Sequence, residues 1–255
     1  MLTGITDATI GDVMERGSGL FDMEKVDSLI EKKKLNAKEI LSMYDIKVWH
    51  YTTANSKELD EFGLQSLDTI LRRSSELTSF LSNNGIAINF DKKYIQYDKE
   101  KLNFNKENKS TTENNLIQRL TSDYNICGFA NEDVGGIRSY NSEIESAPEL
   151  LSTIEKAFGK EGAITKEWIK NKEHKLKKVM FEIPISKTSL IREPEDSLGR
   201  LIFAAAYNHN ECKMNDQVIV EILGAKSIKD IEYKNFISLE REERDKCRKL
   251  AGIID

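Results

Sequence analysis

The segment 46-IKVWHYTTANSKELDEFGL-64 constrains the fold more than any other stretch of the chain. Its first half is β-branched and aromatic, which predicts a strand over 46–53. Side chains alternate along a strand, so Ile46, Val48, His50 and Thr52 share one face, and Lys47, Trp49, Tyr51 and Thr53 share the other. Asn55, with Glu58 three residues on, predicts a capped helix start. Leu59 and Phe62 then face inward, and Gly63 is placed to stop the helix. Histidine is scarce, at His50, His174 and His209 alone. An imidazole in the middle of a strand therefore has to be either a core residue or part of a site.

The rest of the chain predicts an α+β domain. Over 1–45, Met23, Val26, Ile30, Leu35, Ile40 and Leu41 recur at helical spacing, which predicts an N-terminal helical extension too short for its own core. Residues 46–255 then form one domain. A helix is expected over 66–82, with Leu67, Ile70, Leu71, Leu77 and Leu81 as its apolar stripe. A strand and a tyrosine-rich segment follow over 86–97. The stretch 99-KEKLNFNKENKSTTENN-115 reads as a long polar loop. Strands are expected at 124–130, 178–185 and 217–223. Helices are expected from a Ser146–Glu149 box to Gly159, over 165–177 with Trp168, over 197–207, and at the charged C-terminus. Strands and helices do not alternate regularly, and neither GxGxxG nor GxxxxGK[ST] occurs, which argues against a doubly wound nucleotide fold or a P-loop.

Composition narrows the functional classes. Hydrophobic residues are 39% and charged residues 32% of 255, with a net charge of −5, so there is no general drive toward nucleic acid or anionic membrane. No run approaches the length of a membrane helix. The opening MLTGITDATIGDVMERG lacks a basic region followed by an apolar one, and Cys127, Cys212 and Cys247 are few and far apart. Both features lead to an expected cytoplasmic setting with free thiols. His209 and Cys212 supply two of the three or four ligands a zinc site needs, so no metal is expected. Cys127 sits in an apolar strand and reads as a small core residue.

Trp49-His50-Tyr51-Thr52 on a strand, followed by a helix and Gly63-Leu64, resembles the first motif of ADP-ribosyltransferases of the diphtheria-toxin and poly(ADP-ribose) polymerase type. Similar units occur in DNA-targeting ADP-ribosyltransferase toxins and in RNA 2′-phosphotransferases. The resemblance covers about residues 46–65. It implies a mixed, split β-sheet core with peripheral helices and NAD as the substrate cofactor. It also implies a bacterial or phage toxin or defence effector that transfers ADP-ribose to a macromolecule, with a cognate antitoxin as a further partner. His50, Tyr51, Thr52 and Gly63 would then contact NAD, with Tyr94, Tyr97 or Tyr140 as the family's middle tyrosine.

A histidine can bind a ribose hydroxyl through one nitrogen while the backbone fixes the other. A late-strand carboxylate stabilises the oxocarbenium-like ribose. Glu221, the charge in QVIVEIL with Ile228 and Ile231 behind it, is the first candidate. Glu182 is its rival, and another register places Gln217 there. Alternation puts Gln217, Ile219, Glu221 and Leu223 on one face of that strand and Val218, Val220 and Ile222 on the other. Two other readings remain: an inactive NAD- or nucleotide-binding module of the same fold, or a 2′-phosphotransferase using Arg72, Arg73 and Arg138.

Overall fold

The computed structural model describes residues 36–130 apart from 106 and 108, 147–201 apart from 195, and 218–236, together with Ser28 and Glu31. The expectations for most of 1–35, for the loop holding Arg138 and Tyr140, for 202–217 with His209, Cys212 and Gln217, and for 237–255 lie outside the described residues.

The protein is α+β. Helix α1 (Ala37–Met43) starts on Asn36, whose side chain accepts the Glu39 N–H. It leads into strand β1 (Asp45–Thr52). Helix α2 (Ser56–Phe62) follows, capped by Asn55, which accepts the Glu58 N–H as expected. Gly63 ends α2 with φ +73°, and a Cβ there would stand 2.1 Å from the Ile228 carbonyl oxygen. That close approach lets β2 (Leu64–Gln65) pair with β9 (Ser227–Ile228).

The helix expected over 66–82 is two helices, α3 (Leu67–Leu71) and α4 (Glu76–Asn83). Ser75 restarts the chain with a capping box to Thr78, satisfying the amides that a continuous helix would have used internally. Strands β3 (Ile86–Asn89), β4 (Tyr94–Tyr97) and β5 (Glu100–Asn103) form an antiparallel meander. The expected polar loop at 99–115 is therefore corrected. Leu102 and Phe104 are buried on one side of the chain while their neighbours face water. Ser110 and Glu113 then form a capping box that opens helix α5 (Thr111–Ser122).

Strand β6 (Ile126–Phe129), helices α6 (Glu149–Ala157) and α7 (Thr165–Ile169), and strand β7 (Lys177–Pro184) follow. Helix α6 starts on Pro148 without a side-chain cap, in place of the expected box. Helix α7 ends eight residues short of the expected boundary, before the turn that brings His174 under Trp168. Two 3₁₀ turns (Ile185–Lys187 and Ser189–Ile191) lead toward a helical segment at 196–201, and β8 (Ile219–Ile222) and β10 (Glu232–Asn235) complete the strands.

The main sheet has the order β10-β7-β1-β6-β8, and every pairing in it is antiparallel, so it is not mixed. One face packs Val48, Val179, Phe181, Val220 and Ile222 against Leu41 of α1 and Leu190 of the second turn. A second core joins the helices to the meander through Leu81, Ile95, Leu116, Leu151, Ile154 and Trp168. Among the described residues, no helix is long and apolar enough to cross a membrane.

Gly128 sets how closely β6 approaches β1. A Cβ there would lie 2.4 Å from Val48 Cγ1 and 2.8 Å from the Trp49 carbonyl oxygen. Gly128→Ala is expected to cost about 1–3 kcal/mol, as overpacking of a tight site does. Gly159 has φ +63° but open space around it, so Gly159→Ala should cost only the left-handed strain of about 1–2 kcal/mol and leave the sheet undisturbed. Urea unfolding gives both losses. Near-UV circular dichroism should change for Gly128→Ala alone.

Candidate functional site

The sheet opens at His50. Strand β1 pairs with β7 along its whole length, from Asp45↔Pro184 to Thr52↔Lys177. Against β6 it pairs only at Trp49↔Phe129. Beyond that pair the ladder stops, and the His50 side chain bridges the gap, with Nδ1 2.7 Å from the Cys127 carbonyl oxygen. A carbonyl oxygen only accepts, so Nδ1 carries the proton and donates. Nε2 is left with a lone pair, and it has no partner among the described residues.

A cavity of about 430 Å³ lies at this opening. His50 and Thr52 border it, as does Gly63 at the end of α2. Much of its wall is apolar, including Leu59, Leu64, Ile70, Leu77, Phe129 and Trp168. The Thr52 hydroxyl oxygen accepts the Ala54 N–H at 3.2 Å. Thr53 is buried and accepts the Trp168 indole N–H at 3.1 Å. The Lys177 ammonium donates to the carbonyls of Ala54 and Glu173 at 2.8 Å and of Lys175 at 3.3 Å, and burial holds its pKa below the ordinary lysine value. The loop after β1 is thus fastened from beneath.

The charged walls face each other. On one side Arg73 lies over the Phe62 ring, donates to Gln65 Oε1 at 2.8 Å and pairs with Glu58 at 3.5 Å. Glu58 also accepts the Glu76 N–H at 2.8 Å. On the other side Arg119 pairs with Asp123 at 3.3 Å and with Glu149. Among the described residues the cavity is therefore lined by two arginines, Arg73 tied to one carboxylate and Arg119 to two, and by four acids: Glu58, Glu76, Asp123 and Glu149. Burial lowers the His50 pKa below its ordinary value, while the Cys127 carbonyl and the charge of Asp123 offset part of that. The imidazole is held neutral as the Nδ1–H tautomer.

The expected site residues separate into two groups. His50, Thr52 and Gly63 come together. Tyr51 borders the cavity, but its ring is buried on the opposite face, edge-on to Phe236 at 5.3 Å and tilted against Phe129 at 6.2 Å. Tyr94 and Tyr97 belong to the meander and do not line the cavity. The Tyr97 ring packs on Phe158 and under the Lys160 ammonium, and Lys101 sits over Tyr94. Glu182 is an exposed partner of Lys47 at 3.7 Å, at the far end of β1.

Glu221 is opposite Cys127 in the β6–β8 register but does not line the cavity. It accepts the Asn125 amide at 2.7 Å and lies 3.5 Å from Arg192, so it reaches the cavity only through Asn125. Cys127 is a correction, since it is exposed and lines the cavity. The residue keeps surface open to water, but partial desolvation by the surrounding walls, with the charges of Asp123 and Glu221, pushes its pKa up to about 11, which keeps it a thiol at neutral pH. Arg72 pairs with Asp68 and stacks on Phe90 outside the cavity. No group of three or more metal-ligating side chains occurs among the described residues.

The residues missed in sequence are Asp123, Asn125, Arg119 and Glu149. The available signal was T-S-D-Y-N, which sets Asp123 and Asn125 just before an apolar strand. No family model, curated protein or solved structure matches the chain.

The lowered His50 pKa has a testable sign. Between its ordinary value of about 6.5 and the lower folded value, the unfolded chain takes up a proton that the folded chain does not. Stability attributable to His50 is therefore lost as the pH falls through that window. His50→Gln cannot titrate, so its stability relative to wild type should rise between about pH 7.5 and pH 5.5. Urea midpoints at the two pH values measure this, and a constant difference would contradict the assignment.

Proposed function

We propose that the protein is an NAD-dependent ADP-ribosyltransferase that transfers ADP-ribose to a macromolecule, as a toxin or defence effector would. The observation that carries this reading is the opening of the β1–β6 ladder at His50, which leaves a neutral imidazole nitrogen facing a cavity of suitable size. A split sheet with a strand histidine, a threonine two residues on, and a helix ending in Gly63-Leu64 is the arrangement expected of such enzymes.

The electrostatics agree with the cationic end of NAD. The nicotinamide ring is a pyridinium, and the ribose becomes oxocarbenium-like as the ring leaves. A cavity with more carboxylates than arginines stabilises both. His50 Nε2 would accept a hydrogen bond from a ribose hydroxyl, and the apolar wall would take the ring. In the transfer step the bond from ribose C1′ to the pyridinium nitrogen breaks. Nicotinamide departs with the electron pair, and an acceptor oxygen or nitrogen adds to C1′ as its proton passes to a carboxylate. Asp123 is the acid we assign to this role, because it borders the cavity and its charge acts on His50. Glu221 would position Asn125.

A second reading, a nucleotide-binding module of the same fold without turnover, is favoured by the place of Glu221 outside the cavity. A 2′-phosphotransferase is not favoured, because Arg72 lies elsewhere and Arg73 is already engaged.

Incubation with NAD labelled in the nicotinamide ring decides between these readings. Wild type should release nicotinamide. His50→Ala and Asp123→Asn should each lose about 100-fold, the scale of one stabilising contact or acid–base group. Glu221→Gln should lose less than Asp123→Asn. Calorimetric NAD binding without release would select the non-catalytic module, and absence of both would end the proposal.

A further inference from the structure

A second concavity, of about 620 Å³, runs between α5 and α6 and shares Arg119, Asp123 and Glu149 with the cavity at His50. Its own surface is hydroxyl and amide: Asn115, Gln118, Ser122, Ser152 and Thr153 line it. The Ser152 and Thr153 hydroxyls donate to the Glu149 carbonyl at 3.0 and 2.8 Å, which leaves their oxygens as acceptors. Asn115 and Gln118 are exposed, and neither makes a side-chain bond among the described residues. The groove thus presents donors and acceptors together, and among the described residues no aromatic side chain lines it.

These features discriminate between macromolecules. Single-stranded nucleic acid is held by rows of cations and by aromatic stacking. Here Arg119 is neutralised by two carboxylates, so Lys156 is the one cation lining the groove that has no ion pair among the described residues. A helix satisfies its own peptide groups and would leave the amides unused. An extended polypeptide has free N–H and C=O groups that both need partners.

We propose that this groove binds an extended polypeptide, with a carboxylate on Lys156, and feeds it to the cavity at Glu149 as the acceptor. The acceptor role rests on the transferase reading, whereas the binding does not. Lys156 stands seven residues along α6 from Glu149, roughly 10 Å at the helical rise. An extended chain covers that span in about three residues. The preferred segment therefore carries Asp or Glu about three positions from the residue that reaches the cavity.

The test uses the full chain and two fluorescein-labelled peptides of Ser, Thr and Asn. One carries Glu three positions from a central Ser, and the other carries Lys there. Mixed-sequence single-stranded DNA and RNA are the comparators. Fluorescence anisotropy should show the Glu peptide binding about ten-fold tighter than the Lys peptide, the effect of one charge contact. Lys156→Glu, an exposed change, should invert that preference. Equal binding of both peptides, no response to Lys156→Glu, or tighter binding of an oligonucleotide would overturn the proposal. With NAD labelled instead in its adenylate part, which stays with the transferred ribose, label should also join the Glu peptide. If no nicotinamide is released, the transferase reading fails alone, and anisotropy still decides the groove.

Discussion

The hydrogen bond between His50 Nδ1 and the Cys127 carbonyl organises the molecule around its opening. Two strands at the centre of an antiparallel sheet would ordinarily continue their ladder, each pair adding about 1 kcal/mol. Here the ladder stops after Trp49↔Phe129, and a side chain takes the place of the next backbone partner. The strands can part because each is secured on its other edge, β1 along β7 and β6 along β8. Gly128 brings the backbones close just before they separate. The same bond fixes the imidazole tautomer, so one interaction sets both the shape of the cavity and the chemistry of its polar floor.

That organisation was legible in the sequence only where it is local. Asn55, Glu58 and Gly63 act over a few residues, and their roles follow from capping and from the left-handed conformation at Gly63. The face shared by His50 and Thr52 followed from alternation, which also places the Tyr51 ring in the aromatic cluster beneath the sheet. In the stretch 99–115 a high average polarity hides a two-residue period. Leu102 and Phe104 alternate as half-buried strand residues do, and Ser110 to Glu113 is a capping box in plain view.

Other features depend on contacts that no local pattern encodes. Trp168 bonds to Thr53 across 115 residues, and Asn125 to Glu221 across 96. Glu221 looked catalytic as the charge in an apolar strand. In the fold that same position faces Asn125 and Arg192, where an acid is useful without reaching the cavity. Cys127 looked like core for the same reason of local apolarity. It is exposed because the register puts it on the sheet face of Glu221 and Ile219, which is open to water at β8.

On the proposed transferase reading, the division of charge along the opening sets the direction in which a dinucleotide would enter. Among the described residues, four carboxylates against two engaged arginines would repel a pyrophosphate from the depth of the cavity. A ligand with a cationic head and an anionic body resolves the conflict by entering head first, its phosphates staying where water screens them. The apolar wall then excludes water from the head, which strengthens the interaction of the acids with any positive charge that develops there. Arg119 and Glu149 stand at the junction with the polar groove, so the acid-rich wall ends where a second substrate would arrive. The pairing of Arg119 with two carboxylates keeps that junction near neutral, which admits a peptide group more readily than a second phosphate.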